Sequence, residues 1–303
     1  LSPTIKEFTL APVQGKLLPS FSAGSHIVVH LPLGMRTQQN SYSLLGGPDD
    51  ACWRIAVRLQ EESRGGSLHL HEKVREGDRL SVGEPLNLFP LVRMGRKYLL
   101  FAGGIGITPI LSHAREMGRL GIDFEVHYAV RDIESAVFLD ELETIASNRV
   151  RVYLDSRGER PDFGLLLGAQ ALGTHVYICG PGGMIDVCLI TARRLGWPES
   201  HLHSEKFLAP EQGEEFVVVA ARSKKQFTVA SDVSLLEAIE QAGLNPKSLC
   251  RGGACGQCEA EVLECHGQLD HRDIYLSTIE KASGCKIMPC VSRVKGGTLV
   301  LNI

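Results

Sequence analysis

The sequence has no long hydrophobic run: nothing in its 303 residues approaches the ~18 consecutive apolar residues of a membrane-spanning helix. It also lacks a basic tail or stripe. Lysine and arginine number 32 against 35 acidic residues, which removes the electrostatic footprint of a nucleic-acid binder. No secretory leader is expected, and nine cysteines are an odd number in a large chain, so a disulfide framework is not expected either. The cysteines are therefore read as metal ligands and reduced thiols. The protein is read as cytoplasmic, with no membrane or nucleic-acid partner, and as a monomer. The opening residues Leu1–Leu10 enter a strand pattern with no cap or turn before them, as though the expressed protein begins upstream. The length exceeds what one core serves, so two or three domains are expected.

What is present is most specific near the carboxyl end. Cys250, Cys255 and Cys258 are spaced C-x4-C-x2-C, with Cys290 held back, the plant-type ferredoxin pattern for one 2Fe-2S cluster on four thiolates. Gly252, Gly253 and Gly256 suit a loop that must wrap tightly and aim N–H groups at sulfur. A structural zinc site competes, because Cys255-x2-Cys258 is a zinc half-site. It would have to be completed from Cys265, His266, His271, Cys285 and Cys290, of which only His266-x4-His271 has a zinc-like spacing, and it leaves Cys250 without a role. For the fourth cluster ligand both Cys285 and Cys290 follow at a workable distance. Cys290 is chosen because Ile287-Met-Pro-Cys-Val291 is an apolar run suited to shielding a cluster.

From Ile5 to about Arg93, short alternating segments broken by turns at Gly15, Gly34, Gly46-Gly47-Pro48 and Gly77-Asp78 argue for a small antiparallel β-barrel. The strands are expected at Ile5–Leu10, His26–Leu31, Trp53–Leu59 and Asp78–Val82. Asn40-Ser-Tyr42-Ser43-Leu44 places a ring and a hydroxyl at a strand end. Ser63-Arg64-Gly65-Gly66-Ser67 opens a helix at Leu68–Val74 with bare N–H groups, a hydroxyl and a guanidinium, an anion site. Taken singly, such a tyrosine is usually core and such a turn is usually only a turn; jointly they could hold a phosphorylated aromatic ring system.

After Arg96 the grammar changes to alternating strands and helices, a parallel sheet that binds ligands at its carboxyl edge. Strands are expected at Lys97–Ala102, Asp123–Val130, Val150–Leu154 and His175–Cys179, and helices at Ile110–Arg119, Leu139–Ala146 and Met184–Leu195. Two glycine turns follow strands at that edge: Gly103-Gly104-Ile-Gly106-Ile-Thr108-Pro109 and Cys179-Gly180-Pro181-Gly182-Gly183. Pro109 replaces the last glycine of the dinucleotide fingerprint and suits a first helical turn. Two such turns facing one crevice could clamp a dinucleotide, its nicotinamide beside the first turn and Cys179. Arg131 and Asp132 follow a strand end where the adenine ribose would lie, and their opposite charges leave NADH and NADPH both open. Beyond Phe207 an acidic, Pro- and Gly-bearing run reads as a linker at 209–214, followed by a hairpin of Phe216–Ala221 and Gln226–Val229 and a helix at Ser234–Ala242.

The ordered set of Tyr-Ser-Leu, Gly-Gly-Ile-Gly-Ile-Thr-Pro, Cys-Gly-Pro and a carboxyl-terminal C-x4-C-x2-C resembles the phthalate dioxygenase reductase family, the FMN and iron–sulfur reductases of Rieske-type oxygenases. Asp270-His-Arg-Asp273 and Cys290-Val-Ser-Arg293 look like that family too. The resemblance implies a multidomain chain: an FMN-binding antiparallel β-barrel at 1–95, an NAD-binding α/β domain at 96–208, and an α+β, β-grasp-like ferredoxin domain at 215–303. It implies an NADH-dependent reductase with FMN, one 2Fe-2S cluster and a transient Rieske-type oxygenase partner. By similarity Tyr42, Ser43, Leu44, Ala56 and Val57 line the flavin, while Gly65, Gly66 and Ser67 hold its phosphate. Thr108 approaches the ring and Phe207 stacks on it, so that Thr108, Cys179 and Phe207 are the positioning residues for hydride transfer. The family often carries Arg where this chain has Asn40, which leaves Arg36 or Arg64 to supply the charge. The Asn-Ser-Tyr-Ser-Leu form looks closer to the reductases of carnitine-type oxygenases. Two rivals are an electron-transfer subunit of a larger flavin dehydrogenase, which predicts different cysteine spacing, and a non-catalytic redox sensor, which predicts no NADH oxidation.

Overall fold

The computed structural model describes residues 1–303 except 15, 35, 49, 61–63 and 208–211. The turn expected at Gly15, Ser63 of the anion-site stretch and 209–211 of the linker lie outside the described residues, as does the side chain of Arg36. The chain divides into two compact units, Leu1–Gln38 with Tyr42–Phe207, and Leu208–Ile303 with Gln39–Ser41.

The first unit opens with β1 (Ile5–Leu10), β2 (Ser25–Leu33), β3 (Arg36–Ser43) and β4 (Trp53–Arg58), then α1 (Gly66–Glu72), β5 (Ser81–Val82) and β6 (Leu86–Asn87). β1 pairs antiparallel with β4, and β2 is flanked by β3 and β5 and also joined by β6. Alternation decides the interior: Ile27, Val29 and Leu31 of β2 meet Ile55 and Val57 of β4, with Leu44 and Leu70, in one buried cluster. Each such large side chain contributes about 1.5–3 kcal/mol on burial. The expected strand from Asp78 starts only at Ser81, because the Asp78 carboxylate accepts the Arg75 N–H at 2.8 Å and closes a turn there.

The same unit continues with β7 (Lys97–Gly103), α2 (Ile107–Leu120), β8 (Phe124–Val130), α3 (Leu139–Ala146), β9 (Val150–Leu154), α4 (Phe163–Gly168), β10 (Thr174–Cys179), α5 (Gly182–Arg194) and β11 (Leu202–Glu205). These strands form a parallel sheet in the order β11-β10-β7-β8-β9. The chain runs outward from β7 to β9 and then returns to β10 on the other side of β7, so a switch point opens at the carboxyl ends of β7 and β10. Ile5, Leu45 and Ala56 share a core with Ile107, Ile110 and Ala114 of α2, and the Ser112 hydroxyl donates to the Gly46 carbonyl at 3.0 Å. The barrel side and the sheet side are thus one packed body.

In the second unit come β12 (Phe216–Ala220), β13 (Lys225–Val229), α6 (Leu235–Gln241), β14 (Ala260–Asp270), α7 (Thr278–Ser283), β15 (Lys286–Ile287) and β16 (Arg293–Leu301). The sheet order is β13-β12-β16-β14-β15, with β12 and β16 parallel and the other pairs antiparallel. α6 starts at a capping box, Ser234 with Glu237, and lays Leu235, Ala238 and Ile239 on Phe216, Val218 and Leu299 of the sheet. This is the α+β class expected. Of the residues read as linker, Gln212–Glu214 are tied down: Gly213 N–H donates to the Ser231 carbonyl at 3.0 Å, and Arg293 donates to the Glu214 carbonyl at 3.0 Å. Among the described residues no helix is long and apolar enough to cross a membrane.

Candidate functional site

The two glycine turns meet at the switch point. Gly103 ends β7, a short 3-10 turn covers Gly104–Gly106, and α2 begins at Ile107, with Pro109 in its first turn. Opposite them β10 ends at Cys179, and Gly180-Pro181 leads into α5. A methyl group on Gly106 would stand 2.5 Å from the Cys179 carbonyl carbon and 2.8 Å from the Gly180 nitrogen, so only glycine permits this approach. Bare backbone at the amino ends of α2 and α5 therefore faces one crevice, which suits a pyrophosphate. Thr108 is buried and its hydroxyl donates to the Ile105 carbonyl at 3.0 Å. A separate groove of about 600 Å³ follows the carboxyl half of α2, where Arg115 pairs with Glu141 and Arg119 with Glu116. Its charges are internally matched, and it lies away from the glycine turns.

On the barrel side, Ser43 and Leu44 are buried and Tyr42 packs on the barrel cluster. Ala56 and Val57 point to opposite faces of β4: Ala56 joins the core shared with α2, and Val57 the barrel interior. Gly65 takes a left-handed φ of 95° at the start of α1, Gly66 is buried, and the Ser67 hydroxyl accepts the Gln60 N–H at 3.1 Å. Asn40 lies in β3 but is grouped with the second unit. Phe207, the last described residue of the first unit, is 46% exposed.

Sequence reasoning missed Glu205. It ends β11 in parallel register with Cys179, two residues before Phe207, and its Oε2 is out of water with no hydrogen-bond partner among the described residues. Burial raises its carboxyl to about 8, so it is predominantly protonated at neutral pH. Burial also pushes the Cys179 thiol well up, with a further contribution from the Glu205 charge, so Cys179 is an uncharged thiol at neutral pH, fully buried in the core shared with α2. The signal was hidden because His203-Ser-Glu205 is polar and only four residues of strand carry it. The sheet holds a second unexpected feature, a column of imidazoles. His175 Nδ1 and His203 Nε2 are 3.0 Å apart, His201 stacks on His175 at 4.2 Å, and Tyr177 stacks on His203 at 4.3 Å. His113 of α2 packs against Tyr177 and is wholly buried, and burial lowers it to about 3.

In the second unit the four cysteines come together as two pairs. Cys258 and Cys290 sulfurs are 3.3 Å apart, and Cys250 pairs with Cys255. Among the described residues no three potential ligands converge as on a single metal ion. Two two-thiolate clamps are what a binuclear cluster needs, one per iron, whereas a tetrahedral zinc needs four ligands about one point. The donor set therefore fits 2Fe-2S. The Cys255 thiol and the N–H groups of Gly252, Ala254 and Cys255 draw Cys250 well below the usual thiol range, and Cys258 is lowered by Cys290. Cys290 is 1% exposed among Leu236, Leu276, Met288 and Val291, while Cys285 is exposed with its thiol on the Ser283 carbonyl. His266 is exposed beside Glu264. Gly256 has a φ of 74°, and a methyl there would lie 2.5 Å from the Tyr275 ring, so Tyr275 lies directly on the cysteine loop. The loop is pinned from behind: Ile274 N–H donates to the Gly253 carbonyl at 3.1 Å, and buried Asp273 accepts from Leu276 N–H at 2.8 Å and Ser292 Oγ at 3.1 Å.

Residues 218–295 match the 2Fe-2S iron-sulfur cluster binding domain, and residues 87–202 match the N-terminal domain of the dimethylamine monooxygenase subunit DmmA-like family. The chain is 46% identical over 304 residues to the heme-dependent oxidative N-demethylase beta subunit of Ectopseudomonas mendocina (strain ymp), covering all of this chain and 96% of that one. It is 43% identical over 307 residues to the carnitine monooxygenase reductase subunit of Escherichia coli (strain K12), covering all of this chain and 95% of that one. Among solved structures, phthalate dioxygenase reductase, described as a modular structure for electron transfer from pyridine nucleotides to 2Fe-2S, matches at TM-score 0.87 and 35% identity over all of this chain and 94% of that one. The chain belongs to the phthalate dioxygenase reductase family. As a member of that family it is an oxidoreductase, the reductase component of an oxygenase system. The family carries a β domain, a parallel-sheet α/β domain and a carboxyl-terminal ferredoxin domain in the order seen here.

Proposed function

We propose that this protein oxidises NADH and passes its electrons through FMN and a 2Fe-2S cluster to an oxygenase. One observation carries the reading: a single chain combines a two-turn glycine crevice at a sheet switch point with four cysteines arranged as two pairs. A nicotinamide yields two electrons as a hydride while a cluster takes one at a time, and bound FMN supplies the exchange between them.

The chain's own residues position and shield. Tyr42 and Ser43, with the main chain of Leu44, Ala56 and Val57, whose side chains are packed in the cores, form the flavin wall, and Gly65, Gly66 and Ser67 with Arg64 receive its phosphate. Gly103, Gly104, Gly106 and Gly180 leave room for the dinucleotide, which Pro109 and Pro181 flank. Thr108, Cys179 and Phe207 set where the nicotinamide meets the flavin, and Glu205 adds a neutral acid at the same edge. Cys250 with Cys255 and Cys258 with Cys290 hold the cluster, whose surroundings exclude water through Leu236, Met288 and Val291. The working domains are assigned to 1–95, 96–208 and 215–303.

For the acceptor, the likeness to phthalate dioxygenase reductase supports a Rieske-type oxygenase that binds transiently. A haem-dependent oxygenase is a second reading, favoured by the 46% identity to a subunit of a haem-dependent demethylase. An anaerobic absorbance titration with NADH, after chromatographic identification of the released flavin, tests the core of the proposal. FMN release and joint bleaching of flavin and cluster bands are expected; a protein without flavin, unchanged by NADH, refutes it. Reduction of a purified Rieske or haem oxygenase by the NADH-reduced protein then separates the two acceptors.

A further inference from the structure

The cysteine loop holds one residue whose backbone does not suit its side chain. Arg251 has a φ of 51°, in the left-handed region, and is one of four non-glycine residues there among the described residues. Elsewhere the same loop uses glycine for such turns, with φ 72° at Gly253 and 74° at Gly256. An arginine in this conformation persists only where its surroundings hold it there.

The holding group is on α6. The Arg251 side chain is 11% exposed, and its guanidinium donates to both carboxylate oxygens of Glu240, Nη1 to Oε2 at 3.2 Å and Nη2 to Oε1. Nη2 also donates to Ser248 Oγ at 3.4 Å. A forked pair of this kind fixes direction as well as distance. Glu240 lies in the last turn of α6, a helix already anchored by its Ser234–Glu237 capping box and by Leu235, Ala238 and Ile239 on the sheet. The loop is thus clamped to a fixed element through one side chain. The consequence is local: the left-handed turn at Arg251 brings the Gly252 N–H back onto Cys250 Sγ, 3.4 Å away. An N–H aimed at a ligand sulfur favours the more negative, reduced state of a cluster.

We propose that Arg251 and Glu240 are positioning residues that set the reduction potential of the cluster, by clamping the backbone that points the Gly252 N–H at Cys250. The pair acts through the main chain and not through its charges, which cancel. The proposal rests on the reductase reading, and the test keeps the two apart. Purified holoprotein and variants are titrated with dithionite in the presence of redox dyes, the reduced cluster being read by electron paramagnetic resonance. Arg251→Ala keeps the left-handed cost and loses the clamp, so the cluster equilibrium should move about tenfold toward the oxidised form, about 59 mV for a one-electron couple. Arg251→Gly takes the same turn without a clamp and should move it by about twofold or less. Glu240→Ala leaves the loop sequence intact and should move it about threefold or more in the same direction as Arg251→Ala, so a failure of Arg251→Ala to hold a cluster does not remove the test. Equal shifts in Arg251→Ala and Arg251→Gly would assign the effect to the guanidinium charge and overturn the clamp. A shift toward the reduced form in Glu240→Ala, or unshifted alanine variants beside a normally reducible wild type, would overturn it too and leave the reductase intact. A wild type with no reducible cluster overturns both.

Discussion

Glu205→Gln is the perturbation that most directly tests the geometry of the crevice. In the folded protein the Glu205 carboxyl sits at about 8 against an ordinary value of 4.5, because burial penalises its charged form. The folded state therefore holds a proton that the unfolded chain releases. This contribution to stability is fully present below pH 4.5 and is lost progressively as pH rises through the folded pKa. Between pH 5 and pH 8 the loss integrates to about 3–4 kcal/mol, from 1.36 kcal/mol per unit of differential binding. For a unit of this size that is roughly 10 °C in melting temperature. Buried histidines impose the opposite slope over the acid half of the range, since His203 is lowered to about 4, so the difference between wild type and variant is the informative quantity.

The assay is the unfolding free energy of the flavin-bearing unit against pH, followed by flavin fluorescence on release, for wild type and Glu205→Gln. The variant should lose most of the decline between pH 5 and pH 8. The same variant should flatten any inflection near pH 8 in the rate of flavin reduction by dinucleotide, since the neutral acid beside Cys179 can no longer ionise. Parallel stability curves for the two proteins would show that Glu205 is solvated and ionised in the folded state, and the account of the crevice edge would fall with that result.

Other consequences are equally direct. His113 is neutral in the fold, its pKa lowered to about 3, so its contribution is present above about pH 6.5 and lost below it; His113→Gln should remove about 2 kcal/mol of the destabilisation between pH 7.5 and pH 5 in urea melts. Cys290→Ser should abolish the visible absorbance of the cluster while exposed Cys285→Ser leaves it intact, and equal loss in both would reassign the fourth ligand. Gly256→Ala should lower cluster occupancy by forcing the loop off the Tyr275 ring, at about 1–3 kcal/mol of overpacking. Tyr275→Ala in the same chain should restore part of it, and no restoration would place the cost in the left-handed backbone instead.

The parts of the fold legible in the sequence were those with strong periodicity or a spacing rule. β1, β9 and α3 follow from alternation and helical repeat alone, and the cysteine pairs were announced by C-x4-C-x2-C. Polar or glycine-rich segments hid their structure. α4 begins only because Asp162 caps the Leu165 N–H at 3.0 Å, and its Phe-Gly-Leu-Leu-Leu-Gly has too few turns to show a repeat. β14 runs eleven residues, but its register shifts near Gly267 break the alternation that would have revealed it. Glu205 carries its chemistry through burial and an absent partner, which only the packed sheet supplies.

The late motifs show how a pattern without obvious chemistry acquires a physical role. Beyond the cluster ligand Cys290, Asp270-His-Arg-Asp273 and Cys290-Val-Ser-Arg293 announce no catalytic set, yet in the fold they form one hydrogen-bonded lattice behind the cysteine loop. Ser292 Oγ donates to Asp273 at 3.1 Å and accepts the Arg272 N–H at 3.1 Å. Arg293 donates to the carbonyls of Glu214 and Ala230 at 3.0 and 2.9 Å and lies over the Phe216 ring. Cys290 is thus fixed from its carboxyl side, and the Cys250–Cys258 loop from Asp273 and Ile274, so both halves of each sulfur pair rest on one polar network, in which the two ring nitrogens of His271 have no hydrogen-bond partner among the described residues. Its satisfied links, from Asp273, Ser292 and Arg293, hold the loop rigid, and the unpartnered imidazole is a costly point within it. Rigidity is what an electron carrier needs, because a cluster site that does not rearrange between redox states leaves little to reorganise when an electron passes.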